Sequence, residues 1–187
     1  MRSSRARILL DPVTEAPRPA FIWDWENTTN ATVSTTDSTR LFENNKLKKT
    51  GGANNTFTDC NPRTTTEIPA GPFSITFKMP LEKSAFIGLA IPGATSNGFA
   101  DLVHAFWHNS GEVGVGYCYE DGNSVASSPE YVPGQSLTIE RDDDDDVRYY
   151  MDGEFIFLSM DPTSGPLIVK ACLADTDAEA QIDDLEY

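Results

Sequence analysis

The stretch Ser136–Ser159 constrains the fold of this chain more than any other. Leu137 and Ile139 fall on one side of an extended strand, and Thr138 and Glu140 fall on the other. After Arg141 and the acidic run Asp142–Asp146, the same alternation resumes at Val147-Arg148-Tyr149-Tyr150-Met151. Asp152-Gly153 follows directly, a pair that tolerates the positive backbone angles of a two-residue hairpin turn. Glu154–Ser159 then reads as the returning strand. Antiparallel strands joined by short turns are the only regular structure this pattern fits.

The rest of the chain is punctuated in the same way. Short runs of aromatic and branched residues, bounded by Gly, Pro, Asn, Asp or Ser, predict strands at Phe21–Asn27, Ala31–Ser34, Phe73–Met79, Ala85–Ile91, Leu102–His108 and Glu112–Glu120. Further strands are expected at Pro166–Leu173 and Ala180–Tyr187. No window keeps helical spacing over three turns. Phe73, Ile75, Phe77 and Met79 make one apolar face against Ser74, Thr76 and Lys78. Val113, Val115, Tyr117 and Tyr119 oppose the small residues Gly114, Gly116 and Cys118, a face that another surface can approach closely. Residues 35–72 are polar and read as a long loop region with short strands, anchored by Leu41-Phe42 and Phe57.

At 187 residues, with 39% hydrophobic and 10% aromatic content, the chain is rich enough for one packed domain, and 13 Gly and 12 Pro suit many turns. The formal charge of −15 is unevenly placed. Residues 1–20 carry Arg2, Arg5, Arg7 and Arg18 against Asp11 and Glu15, a net +2 that leaves −17 for the remainder. Such a body repels phosphate backbones, so nucleic acid is not an expected partner. Residues 1–20 also hold Pro12, Pro17 and Pro19, and read as an extended arm: either a loose terminus or a subunit-contact strap using Arg2, Arg5, Arg7, Leu9 and Leu10. Its apolar run, Ile8-Leu9-Leu10, is too short for the core of a secretory signal. No stretch is long and apolar enough for a membrane span, so no membrane partner is expected.

The run SLTIERDDDDDVRYYMDGEFIFLS, preceded by Tyr131-Val132-Pro133-Gly134, resembles the concanavalin A-like lectin/glucanase superfamily, especially its phage and viral structural members. Gly134, Leu137, Ile139, Val147, Tyr149, Asp152 and Gly153 carry the likeness. Phe73–Phe77, Ile87-Gly88-Leu89, Pro166-Leu167 and Ala180–Leu185 extend it across about residues 21–187. The resemblance implies an all-β protein, a two-sheet antiparallel jelly-roll sandwich, here with an extended N-terminal arm. This fold hosts lectins, hydrolases, adhesion domains and virion proteins, so it does not name a ligand.

Several residues are candidates for chemistry. Asp24 and Glu26 share a strand face, yet the string of carboxylates expected of a glycosidase on this fold is missing, and an exposed strand explains them more simply. His104 and His108 are placed on one strand face with Leu102 and Phe106, about 13 Å apart, too far to share a metal. Within the acidic turn, Asp142, Asp144 and Asp146 are the candidate ligands of a weak calcium site, with a solvated turn as the simpler reading. No other cofactor is expected. Trp107, Arg148 and Tyr150 are candidates for a shared carbohydrate-binding face, or for subunit contact. Cys60, Cys118 and Cys172 lack zinc or redox spacing and read as buried hydrophobes, with one disulfide left open. The triplets beginning at Asn27, Asn30 and Asn54 match the glycosylation pattern without a signal to support them.

The expected function is therefore a non-enzymatic virion structural protein, either a capsid decoration or minor capsid protein or a tail or fibre component. It would sit at the particle surface and bind copies of itself or other virion proteins. The alternative is a lectin-like carbohydrate-binding adhesion module recognising a surface glycan.

Overall fold

Alternation in sequence becomes alternation in burial. In the computed structural model, which describes residues 21–35, 42–79, 83–109, 116–127 and 131–187, Phe73, Ile75 and Phe77 are buried and Ser74, Thr76 and Lys78 half-buried. The expected arm, with Arg2, Arg5, Arg7, Leu9 and Leu10, lies outside the described residues, as do Leu41 and the first half of the strand expected from Glu112.

Sixteen strands are described: β1 Phe21–Ile22, β2 Trp25–Glu26, β3 Ala31–Ser34, β4 Phe42–Glu43, β5 Lys46–Lys49, β6 Arg63–Ile68, β7 Phe73–Lys78 and β8 Ala85–Ala90, then β9 Leu102–His108, β10 Gly116–Glu120, β11 Asn123–Ser127, β12 Leu137–Arg141, β13 Val147–Met151, β14 Glu154–Leu158, β15 Leu167–Leu173 and β16 Glu179–Glu186. They form two antiparallel seven-stranded sheets, with β1 and β4 a separate parallel pair. The first sheet runs β11-β10-β9-β8-β15-β6-β2, and the second β14-β13-β12-β7-β16-β5-β3. Among the described residues there is no helix, and so none long and apolar enough to cross a membrane.

The two inner faces interdigitate around Ile75, Phe77, Ile87, Leu89, Ile139 and Tyr149, all fully buried. The first sheet is also covered on its outer face. Phe57 and Phe99, carried by loops, pack on Phe86 at centroid distances of 5.0 and 4.6 Å, and Trp107 and Tyr119 flank them. This second apolar layer explains why β8 and β15 are buried at every position. Gly88 answers to a different constraint, the close approach of β9: an added Cβ would lie 2.2 Å from the His104 carbonyl oxygen and 2.4 Å from Ala105 Cα.

Three buried cations hold the long loops. Lys49, with no exposed surface, donates to the carbonyls of Ala53, Thr56 and Ala174 and to Asp59. Lys170 holds Ser96 and Asp101. Arg141 donates to the carbonyls of Pro69, Gly71, Thr163 and Gly165 at 2.6–3.0 Å, with its guanidinium over Phe73. A buried cation needs this many acceptors to offset its lost hydration.

The strands and turn expected at Ser136–Ser159 are present, and Asp152 and Gly153 adopt φ of 49° and 83°, as the hairpin turn requires. Elsewhere the sequence reading needs correction. The region 35–72 contains β5 and β6, two strands central enough to be hydrogen-bonded on both sides. β11 was not expected at all. The small-residue face of β10 turns inward, with Cys118 in the main core, while Tyr117 and Tyr119 face outward. A bulge between Leu89 and Ala90 shifts the pairing of β8 with β9 and sends Leu102 into the outer layer, opposite His104 and Phe106.

Candidate functional site

β9, β10 and β13 bring three polar side chains to inward positions at one end of the sandwich. His104, Glu120 and Tyr149 are at most 3% exposed. The Tyr149 hydroxyl lies 3.1 Å from Glu120 Oε1, and His104 Nδ1 lies 3.2 Å from that hydroxyl and 3.4 Å from the carboxylate. On the other side of the ring, Nε2 lies 2.9 Å from Thr163 Oγ1, in the loop between β14 and β15. The proton assignment consistent with this network has Tyr149 donating to Glu120, Nδ1–H donating inward and Thr163 donating to Nε2. Burial alone would raise the Glu120 carboxyl, but hydrogen bonds from His104, Ser159 and Tyr149 outweigh it and hold the group below its usual range. Burial, helped by the Glu120 charge, pushes the Tyr149 hydroxyl well above its ordinary value.

A cleft of about 620 Å³ opens above this cluster. Its walls include Ile91, Val103 and Pro166, and Asp121 and Asp161 contribute to its lining. The order of hydroxyl, imidazole and carboxylate resembles that of an activated nucleophile. His104 is part of the cleft lining but has no exposed surface, and its bond to Thr163 fastens the loop to β9. The same loop is held from within by Arg141 through the Thr163 and Gly165 carbonyls. His104 and His108 are therefore hydrogen-bonded interior residues; His108 Nδ1 contacts the Lys83 carbonyl at 3.1 Å.

The acidic turn is organised around Asp142. Its Oδ1 accepts from the Asp144 and Asp146 amides, and Asp145 takes φ of 64°. Arg148 donates to Asp142 at 2.5 Å and to Asp146 at 3.1 Å. The hydrogen bond from Arg148 holds the Asp142 carboxyl below its usual range. Two of the three carboxylates expected to bind calcium are thus occupied by a guanidinium. Among the described residues, no three His, Cys, Asp or Glu side chains gather as a metal-ligand set.

The expected carbohydrate face is not assembled. Trp107 lies on β9 in the first sheet, where it stacks on Phe86 and on Tyr117 at 5.4 and 5.1 Å. Arg148 and Tyr150 lie on β13 in the second sheet. Strand alternation predicted outward positions for all three, but could not say that they belong to opposite sides of the sandwich. Glu26 pairs with Arg63 across β2 and β6, an ordinary cross-strand bridge. Asn27 and Asn30, the first residues of two glycosylation-like triplets, donate their side-chain amides to the Asn61 and Asp59 carbonyls. All three cysteines are buried and free.

A third surface feature was not anticipated. Among the described residues β14 ends its sheet and is paired only with β13, and Phe155, Leu158 and the nearby Met160 are 58%, 39% and 82% exposed.

The sheet order, the two stacked layers and the antiparallel pairing define a concanavalin A-like jelly-roll sandwich. Solved structures with this arrangement include the SPRY domain of human HERC1, with TM-score 0.58 and 13% identity over 84% of this chain and 96% of that one. The PSpry domain of TRIM65 is similar, with TM-score 0.60 and 9% identity over 90% and 100% of the two chains. An alginate lyase, AlgAT5 of polysaccharide lyase family 7, is more distant, at TM-score 0.44 and 17% identity over 68% of each chain. At these identities the likeness is one of fold. No protein-family profile matches the sequence, and no curated protein matches it significantly.

Proposed function

We propose that this protein is a non-enzymatic assembly module, a structural component of a virus or bacteriophage particle that joins its neighbours through the open edge of its second sheet. The observation that supports this reading is β14: an edge strand that keeps Phe155 and Leu158 in solvent, with no Lys or Pro in the strand to blunt it. The strand carries one bulge in its pairing with β13, between Tyr149 and Tyr150, and a charged Glu154 at its start, but its outer edge has no strand partner among the described residues. Exposed apolar edges pair with other chains. Sedimentation of the purified protein, together with mass spectrometry of purified particles from the organism that encodes it, tests the proposal. Self-association and recovery in particles are expected. A protein that stays monomeric and is absent from particles defeats it.

A second reading, a lectin-like carbohydrate-binding module, rests on Trp107. Its ring stacks on Tyr117 on the outer face of the first sheet, and its buried indole N–H has no hydrogen-bond partner among the described residues. Binding on a glycan array, lost on Trp107→Ala in the presence or absence of calcium, would favour this reading.

A further inference from the structure

The occupant of the β14 edge can be argued from charge and position. Exposed Asp152, Glu154 and Asp161 bracket the apolar residues Phe155, Leu158 and Met160. No described Lys or Arg forms an ion pair with Glu154 or Asp161, whereas cations elsewhere are matched, as in Lys46 with Glu179 and Lys78 with Asp183. Pairing β14 with β14 of a second molecule would bring like charges together on bodies that are already strongly acidic. The edge therefore suits a strand that is apolar on one side and basic on the other.

One segment of the chain's own sequence has that composition. In residues 5–10, Arg5, Arg7 and Leu9 alternate with Ala6, Ile8 and Leu10. An extended segment of this kind presents two arginines on one face and an apolar row on the other. Its point of attachment is remote from β14. Tyr149 of β13 bonds Glu120 of β10, so β14 and β11 lie at the same edge of the sandwich. Phe21 leads into β2, which closes the first sheet at the opposite edge. Seven strands span about 29 Å. Residues 11–20 extend at most about 33 Å, enough to bring residues 5–10 to a molecule lying alongside.

We infer that β14 accepts residues 5–10 of a second copy of this chain as an added strand. This inference rests on the assembly reading above and gives it a specific contact. Because donor and acceptor lie at opposite edges, the contact is head-to-tail: each copy gives an arm at one edge and receives one at the other. Such a contact closes into a ring or continues as a filament.

The test uses the full chain. A photo-crosslinking benzoylphenylalanine replaces Ile8, and equal amounts of unlabelled and nitrogen-15 protein are mixed before irradiation. Cross-linked peptides joining residue 8 to the segment 154–161, with mixed isotopes, are expected. The double variant Arg5→Glu/Arg7→Glu should weaken self-association at least tenfold in sedimentation, with an unchanged melting temperature. Phe155→Lys should weaken it from the other side. Cross-links confined to one chain overturn the inference, as does self-association that survives both variants. That last result leaves assembly standing through another contact. A wild-type chain that never associates removes the assembly reading itself, and this inference with it.

Discussion

Thr163 Oγ1 lies 2.9 Å from Nε2 of His104, a bond that ties the loop after β14 to the interior of β9 across 59 residues of sequence. Behind the ring, Glu120 and Tyr149 complete a polar cluster enclosed by the two sheets. A cluster of this kind stabilises only when all its members are satisfied, so its removal has a distinct pH signature.

Glu120 is held below the ordinary carboxylate range. A depressed acid supplies stability that is complete above its unfolded-state value of about 4.3 and fades as pH falls through the folded value. Glu120→Gln should cost about 1–3 kcal/mol at pH 7. Its loss of stability between pH 6 and pH 3 should be smaller than that of the wild type. Urea-unfolding midpoints at several pH values measure both effects, and parallel pH curves for the two proteins would contradict this account.

Arg141 serves four main-chain carbonyls from a position with 1% exposure. Arg141→Met should destabilise the protein by more than about 3 kcal/mol, because each orphaned buried acceptor costs about 1–3 kcal/mol. Arg141→Lys should recover little, since an ammonium cannot reach both loops with a planar fork. Thermal unfolding of the two variants checks the expectation, and proteolysis should begin in the 159–166 loop.

Arg148 occupies the carboxylates of the acidic turn. Arg148→Ala should return the Asp142 titration to the ordinary carboxylate range, followed by carboxyl carbon resonances. It should also free Asp142 and Asp146 for a hard cation. Calcium titration by calorimetry should therefore give tighter binding in the variant than in the wild type. Equal affinities would show that the guanidinium and the cation do not compete.

The three thiols should be silent in the folded protein. Burial pushes Cys60 to about 11, and Cys118 and Cys172 to about 12, and all three are buried. A thiol-reactive dye at pH 8 should label none of them within minutes and all three in denaturant. A pair resistant to labelling after denaturation without reductant would indicate a disulfide.

The parts of the fold legible in the sequence are those where local chemistry and burial agree. In Ser136–Ser159, period-two alternation and Asp152-Gly153 point to the same hairpin, and that hairpin is present. Asp121-Gly122 carries the same turn signal, with φ of 46° and 79°, but β11 went unread because Asn-Ser-Val-Ala-Ser is polar and mostly exposed. β6 hides in Arg-Thr-Thr-Thr-Glu-Ile, where Thr64 is buried because its hydroxyl accepts from the Val169 amide. The interior cluster was half visible. His104 drew notice as a histidine on an apolar strand, but Glu120 and Thr163 meet it only through contacts 16 and 59 residues away in sequence. Lys49, Arg141 and Lys170 were equally hidden, since a cation's burial depends on carbonyls delivered by distant loops.

Those three cations carry a consequence for how the protein can change. Arg141 grips its loops entirely through main-chain oxygens, Lys49 through three carbonyls and one carboxylate, and Lys170 through one of each. A carbonyl is present whatever the residue. Apart from Phe57, Phe99 and Thr163, which pack or bond beneath the loops, and positive-φ glycines such as Gly52 and Gly98, the side chains along 51–58, 92–100 and 160–166 can be rewritten, by natural variation or by design, while the loops keep their shape. The protein is thus built as a frame with replaceable surface text, anchored from beneath by a few interior charges.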